Sequence, residues 1–287
     1  MDAVDVAQPS HSALSVALRR AAHQLYDAQP LVFNDPFAVR ILGSHAERLQ
    51  RTPGRNPAFK PRPHSVGLRA FLVARSRYAE DRLAEAVGRG VTQYVLLGAG
   101  LDTFAHRNPY SGLRVFEVDH PATQAWKREL LRESGLPCPE RLTYAPVDFE
   151  RQSLEEGLRA ASFDFTVPTF FAWLGVVPYL TMEAFRATIG FIAAQPSGSG
   201  VVFDYSQPRA TLAPNEQLER DSLSARVQSA NEPFHLFFTP KEIAAELNPF
   251  CEIEDLSSPE INARYFAART DALKLYGSAG RFISAWR

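Results

Sequence analysis

The chain has 287 residues, with 31 Lys and Arg against 32 Asp and Glu, a formal charge of −1, and 45% hydrophobic residues. That is the composition of a folded globular chain, and the balanced charge lacks the basic excess that marks a nucleic-acid-binding protein. Two cysteines, Cys138 and Cys251, can build neither a disulfide framework nor a four-ligand zinc site.

The first ten residues are polar and expected to fray, and Asp2 and Asp5 precede any apolar run, unlike a secretory signal. The longest apolar stretch, Phe170 to Val177, is far shorter than the ~20 residues of a membrane-spanning helix. A soluble, reduced, cytoplasmic protein is expected.

Leu14, Ala17, Leu18, Ala21 and Leu25 recur at helical spacing and predict a helix from Ala13 to about Gln29, ended by Pro30. Asp35-Pro36 predicts a second helix, with Asp35 as N-cap and Pro36 at its first position. A loop carrying Pro53, Gly54, Pro57, Pro61 and Pro63, with Arg51, Arg55, Lys60 and Arg62, has the length of a mobile lid or binding segment, or of a solvated connector. An amphipathic helix follows from Ser65 to Val87, ended by Gly88 and Gly90.

From there short apolar runs alternate with helical patterns. Strands are predicted at 91–97, 113–118, 142–147, 169–174, 200–205, 250–256 and 281–286. Helices are predicted at 121–134, 153–160, 181–195, 215–230 and 239–247. The alternation implies right-handed crossovers and a mostly parallel seven-stranded sheet with helices on both faces and an N-terminal helical cap. One domain is expected, with a cap and lid over 1–88, a cofactor-binding core over 89–206, and an acceptor-side insertion with the last strands over 207–287.

The most informative segment is Tyr94-Val95-Leu96-Leu97-Gly98-Ala99-Gly100-Leu101-Asp102-Thr103. A buried strand runs into a glycine turn whose backbone a ligand can approach closely. The carboxyl end of such a strand opens onto the ligand crevice of an open α/β sheet. Thr103 stands where a dinucleotide fingerprint would need its third glycine, and no phosphate loop of the G-x-x-x-x-G-K-[ST] type occurs. Asp102 would repel a pyrophosphate and suits a cationic or amino-bearing ligand. Asp119 ends the second strand, where a carboxylate can accept from both ribose hydroxyls. Asp148 ends the third, placed to accept from an exocyclic amine, and Phe149 offers a flat face to a base.

These residues resemble the class I S-adenosylmethionine-dependent methyltransferases, in particular the leucine carboxyl methyltransferase-like group and its bacterial O-methyltransferase branch. The matching pieces are Leu97 to Thr103, Phe116 to Pro121, Val147 to Phe149, Asn34 to Ala38, Phe71 to Arg75, and Pro168 to Phe171 with Tyr179 to Thr181. The resemblance implies a Rossmann-like fold and S-adenosyl-L-methionine as cofactor, with no metal. By it, Arg75 would pair with the carboxylate of the methionine moiety, Gly98 and Gly100 would pass beneath the cofactor, Asp119 would hold the ribose, and Asp148 with Phe149 the adenine. Ala99, Asp102, Thr103 and His120, in the same motifs, count among the cofactor-binding positions. One departure stands out: Leu174 occupies a place where relatives often carry a glutamate.

The activity implied is in-line O-methylation of a carboxylate or hydroxyl of a small molecule. Positioning and water exclusion would carry such a reaction, and only a hydroxyl acceptor would gain from a general base. No catalytic residue is marked by spacing; Tyr205, just past the fifth strand, and His235 are the weak candidates. Phe234, Leu236, Phe237 and Phe238 could line an acceptor pocket or plug the sheet edge. Nucleic-acid and membrane partners are not expected. The alternatives are a non-catalytic binding protein on the same fold, which Leu174 keeps open, and a nicotinamide oxidoreductase, which Thr103 disfavours.

Overall fold

The computed structural model describes residues 10–50, 63–149, 151–229 and 233–287. The frayed terminus expected over the first residues, and the proline-rich segment from Arg51 to Arg62, lie outside the described residues except for Ser10.

Seven strands form one sheet: β1 (Gln93–Leu97), β2 (Arg114–Asp119), β3 (Leu142–Pro146), β4 (Thr169–Trp173), β5 (Gly200–Ser206), β6 (Glu252–Leu256) and β7 (Gly280–Trp286). Their order is β3-β2-β1-β4-β5-β7-β6. The first five are parallel, and β7 runs antiparallel between β5 and β6. All seven strands stand where the apolar runs predict them. Every residue of β1 and β4 is buried, which is why both read as continuous apolar runs without alternation. The order reverses between β1 and β4, so the carboxyl ends of these two strands flank the switch point at which open α/β sheets bind ligands.

Ten α-helices are described: α1 (His11–Tyr26), α2 (Glu47–Gln50), α3 (Pro63–Gly88), α4 (Phe104–Arg107), α5 (Pro121–Glu133), α6 (Leu154–Ala160), α7 (Met182–Ala193), α8 (Pro214–Ser229), α9 (Pro240–Glu246) and α10 (Ser258–Tyr265). Local chemistry sets their starts. The Ser10, Ser153, Thr181 and Thr239 side chains accept from backbone amides of the first turn, and Glu156, Glu242 and Glu260 complete capping boxes. One face of the sheet buries Tyr94, Phe170, Phe282 and Trp286 in a core shared with Tyr78 of α3. The other buries Phe116, Phe171, Trp173, Phe185 and Phe203 against α6, α7 and α9.

The second predicted helix does not form. Asp35 Oδ1 caps only a turn, accepting from the Phe37 amide at 3.2 Å, and a 3-10 segment follows over Arg40–Ala46. Gly43 at φ 51°, ψ −130° breaks helical continuation there, and Asp35 itself is buried by an ion pair. The first helix also stops at Tyr26, ahead of the predicted end. No helix among the described residues is long and apolar enough to cross a membrane.

Candidate functional site

The turn after β1 is held from below by β2: the amides of Gly98 and Ala99 both donate to Val118 O, at 2.8 and 3.1 Å. Gly98 and Gly100 have φ of 69° and 48°. A Cβ on Gly98 would stand 2.5 Å from Val176 Cγ2, and one on Gly100 would stand 3.1 Å from the Ala13 Cβ of α1. Both glycines therefore admit other parts of the chain, the β4 tip and α1, close against the turn.

Asp119 closes the same rim. Its Oδ2 accepts from the Gly100 amide at 2.6 Å and its Oδ1 from the His120 amide at 2.7 Å. Burial pushes its carboxyl above the ordinary aspartate range, against the pull of those two amides. His120 is the N-cap of α5, where its Nδ1 accepts from the Ala122 amide at 3.2 Å. Past β3, Asp148 faces the Arg151 guanidinium at 3.3 Å, and Phe149 is 59% exposed.

Asp102 and Thr103 are engaged beneath the turn. The carboxylate expected to face a cationic ligand has Oδ1 on the Phe104 amide at 2.7 Å and Oδ2 on Arg20 at 2.7 Å. Thr103 is buried and donates to Asp35 Oδ2 at 2.8 Å. The Arg20 guanidinium holds the Asp102 carboxyl well below the usual range.

Arg75 lies at the far side of the switch point. It projects from α3, is 7% exposed, and its Nη1 donates to both carboxylate oxygens of Asp204 in β5, at 3.1 and 3.3 Å. Asp204 Oδ1 also accepts from the Gly175 amide at 2.6 Å, just beyond β4. A Cβ on Gly175 would stand 2.5 Å from Arg75 Nη1. Arg75 Nε is buried with no hydrogen-bond partner. Leu174 packs against the aromatic core instead of offering an acid, and the carboxylate at this place comes from the neighbouring strand.

The mouth above the turn joins three segments. Tyr179, in the 3-10 turn after β4, has its hydroxyl 3.1 Å from Ser12 Oγ and its ring 5.1 Å from the Phe234 ring. The amides of His235 and Leu236 donate to Pro178 O. His235 is exposed. Tyr205 lies within β5, not past it; it is 1% exposed, and its hydroxyl donates to Asp255 Oδ2 at 2.8 Å. Leu236 and Phe238 are buried, the latter 4.9 Å from the Phe185 ring, so these two close the sheet face. Two cavities, of about 280 and 350 Å³, lie beside α4 and the loop before β3, away from the strand tips.

Arg20 and Asp204 are site-adjacent residues that sequence reasoning missed, and Asp35, read there as a helix N-cap, joins Arg20 instead. Arg20 and Asp204 each interrupt an apolar pattern, α1's buried face and the β5 run, and that interruption is the signal that could have found them.

Residues 13–193 match the sequence profile of the leucine carboxyl methyltransferase family. The chain belongs to this family. A Bacillus subtilis protein, YktD, is 32% identical over 94% of this chain and 95% of its own length, and carries the provisional name of an S-adenosyl-L-methionine-dependent methyltransferase. A Streptomyces coelicolor protein with the same kind of provisional name, SCO7813, is 33% identical over 76% of this chain and 74% of its own. A solved structure from Streptomyces avermitilis, of a protein family without assigned function, shares the fold at a TM-score of 0.59 and 16% identity, covering 99% of this chain and 100% of the other. Another, from Thermobifida fusca and provisionally called a methyltransferase, does so at 0.57 and 18%, covering 99% and 96%. The leucine carboxyl methyltransferase-like chain described here is thus a methyltransferase that draws on S-adenosyl-L-methionine. The nicotinamide alternative falls away with that membership.

Proposed function

We propose that this methyltransferase transfers the methyl group to an oxygen of a small molecule, with a carboxylate as the preferred acceptor and a hydroxyl as the second. The residues at the rim fit the cofactor. Arg75 Nε is a buried donor awaiting an acceptor, and a guanidinium already bonded on one edge can take a carboxylate on the other. That orphaned donor is the observation that carries the cofactor's orientation, with its amino-acid tail toward α3 and β4. Asp204 then stands beside the tail as a carboxylate suited to an ammonium group. Asp119, fixed by two backbone amides, would accept from ribose hydroxyls, and Asp148 with the exposed Phe149 would receive the base.

When bound, S-adenosyl-L-methionine supplies an electrophilic methyl group on a cationic sulfur. The chain's part is to orient the acceptor oxygen in line with it and keep water out. Ser12, Tyr179 and Phe234 meet over the turn and bring hydroxyls and a ring, with His235 exposed on the chain beside Phe234. Tyr205 has its hydroxyl committed to Asp255, which removes it as a base. An acceptor that is already anionic needs none, and this favours the carboxylate.

The experiment is methyl transfer from methyl-labelled S-adenosyl-L-methionine to paired carboxylic acids and phenols of the same skeleton. A methyl ester is expected, recognised by release of labelled methanol in mild base. Label that stays with the product through base, on carbon, nitrogen or sulfur, overturns the assignment to oxygen.

A further inference from the structure

We infer that Arg20 is a positioning residue for cofactor binding, acting through Asp102 to fix the glycine turn and tie that turn to the docking of α1. The inference rests on the cofactor lying at the turn after β1.

The geometry is specific. Arg20 is 4% exposed. Its Nη1 donates to Asp102 Oδ2 at 2.7 Å, and its Nη2 to Asp35 Oδ2 at 2.7 Å and Thr103 Oγ1 at 3.2 Å. Beneath it lies the Phe33 ring, 5.2 Å from the guanidinium carbon. Asp102 is the exit of the turn: its amide donates to Ala99 O at 2.8 Å, and its Oδ1 takes the Phe104 amide that starts α4. One carboxylate thus closes the turn, starts the following helix and receives the guanidinium of α1.

Ala13 and Arg20 stand two helical turns apart and therefore share a face of α1. One helix face meets the turn twice, at Gly100 through Ala13 and at Asp102 through Arg20. The network extends to a second helix, since Arg107 of α4 forms an ion pair with Glu80 of α3 and lies 3.6 Å from Asp35 Oδ1. A turn held this way presents its backbone in one shape, and α1 cannot leave without taking the Arg20 guanidinium from the part-buried Asp102 and the buried Asp35. A ligand that prefers the ordered turn must by reciprocity favour docked α1.

The test measures the affinity of S-adenosyl-L-methionine and of its demethylated product by calorimetry, for wild type, Arg20→Met, Arg20→Lys, Asp102→Asn and the Arg20→Met/Asp102→Asn double variant. Each is first checked for a cooperative thermal transition. Arg20→Met is expected to weaken both ligands by at least about tenfold. Arg20→Lys, which has one donor head for two carboxylates, should fall between. The double variant should lose little beyond Arg20→Met, because both changes break one link. In wild type the demethylated product should slow proteolysis within α1, and in Arg20→Met this protection should shrink. A merely structural role would lower the melting temperature of Arg20→Met while leaving affinity and α1 protection as in wild type, and that result overturns the inference. If Arg20→Met does not fold, Arg20→Lys and Asp102→Asn decide it by the same two measurements. Wild type binding neither ligand would instead sink the placement of the cofactor at this turn.

Discussion

Arg75 and Asp204, 129 residues apart in sequence, form a buried ion pair that spans α3 and β5 at the switch point, with Nη1 3.1 Å from Oδ2. Only one edge of the guanidinium is used. If the other edge takes the methionine carboxylate, Arg75→Met should weaken S-adenosyl-L-methionine by about 2–4 kcal/mol, the cost of removing one partner of a desolvated charge pair. It should weaken 5′-methylthioadenosine, which has no amino-acid tail, far less. Calorimetry with both ligands checks this, and equal losses would place Arg75 away from the tail. Asp204→Asn should also weaken the tail-bearing ligand preferentially, because it loosens the guanidinium.

Asp119 offers a different signature. If it accepts from the ribose hydroxyls, replacing it by Ala should weaken binding by ~1–3 kcal/mol. The loss should be much the same for S-adenosyl-L-methionine and 5′-methylthioadenosine, which share the ribose. Burial raises the Asp119 carboxyl, and ribose hydroxyls would donate to its ionised form. Wild-type affinity should accordingly fall as pH drops through the region just above the ordinary aspartate value, and the Asp119→Ala variant should lose that dependence. Titrations across that range, with an affinity that tracks pH equally in both proteins, would remove the ribose assignment.

The strands and the rim were readable because their physics is local. A strand buried on both faces must be apolar throughout, and the chain must turn with glycine where the β4 tip and α1 crowd it. Asp119 stood out by ending one such run, and Asp148 by following the run that becomes β3. Arg20 and Asp204 did not, since one charge in an apolar pattern has no meaning until its partner is found, 82 residues away for Arg20 and Asp102. The same blindness produced the false helix after Asp35. Asp-Pro is a helix start by local rules, but the carboxylate is recruited by Arg20 and Thr103, and Gly43 turns the chain out of helical geometry. Helix α10 was missed although Ser257 and Glu260 spell its capping box, because its polar middle shows little apolar periodicity.

Gly98 separates conformational strain from crowding. Gly98→Ala must place a methyl 2.5 Å from Val176 Cγ2 and hold a left-handed φ of 69°. The first costs about 1–3 kcal/mol as overpacking and the second about 1–2. Val176→Ala on the Gly98→Ala background should recover part of the lost thermal stability, leaving the backbone share. Complete recovery would show that φ at this turn carries no cost, and no recovery would show that Val176 is not the neighbour that excludes a side chain.

Glu117 and Lys127 lie just beneath the rim, Glu117 two residues before Asp119 in β2. Both are essentially fully buried, with Nζ 2.6 Å from Oε2, while Oε1 has no partner. Burial pushes the Glu117 carboxyl up to about 6, despite the ammonium beside it. The native state therefore holds this proton more tightly than the unfolded chain, whose glutamate titrates near 4.5. The contribution of this group to stability is fully present below about 4.5 and is lost as pH rises to about 6, after which it is flat. The stability difference between wild type and Glu117→Gln, followed by urea unfolding at a series of pH values, should fall across that interval. At neutral pH, Lys127→Met should cost about 3–5 kcal/mol because it leaves a buried acid without its cation, whereas Glu117→Met with Lys127→Met should cost much less. If the double variant were as unstable as the single one, the penalty would lie in packing volume and not in an uncompensated charge.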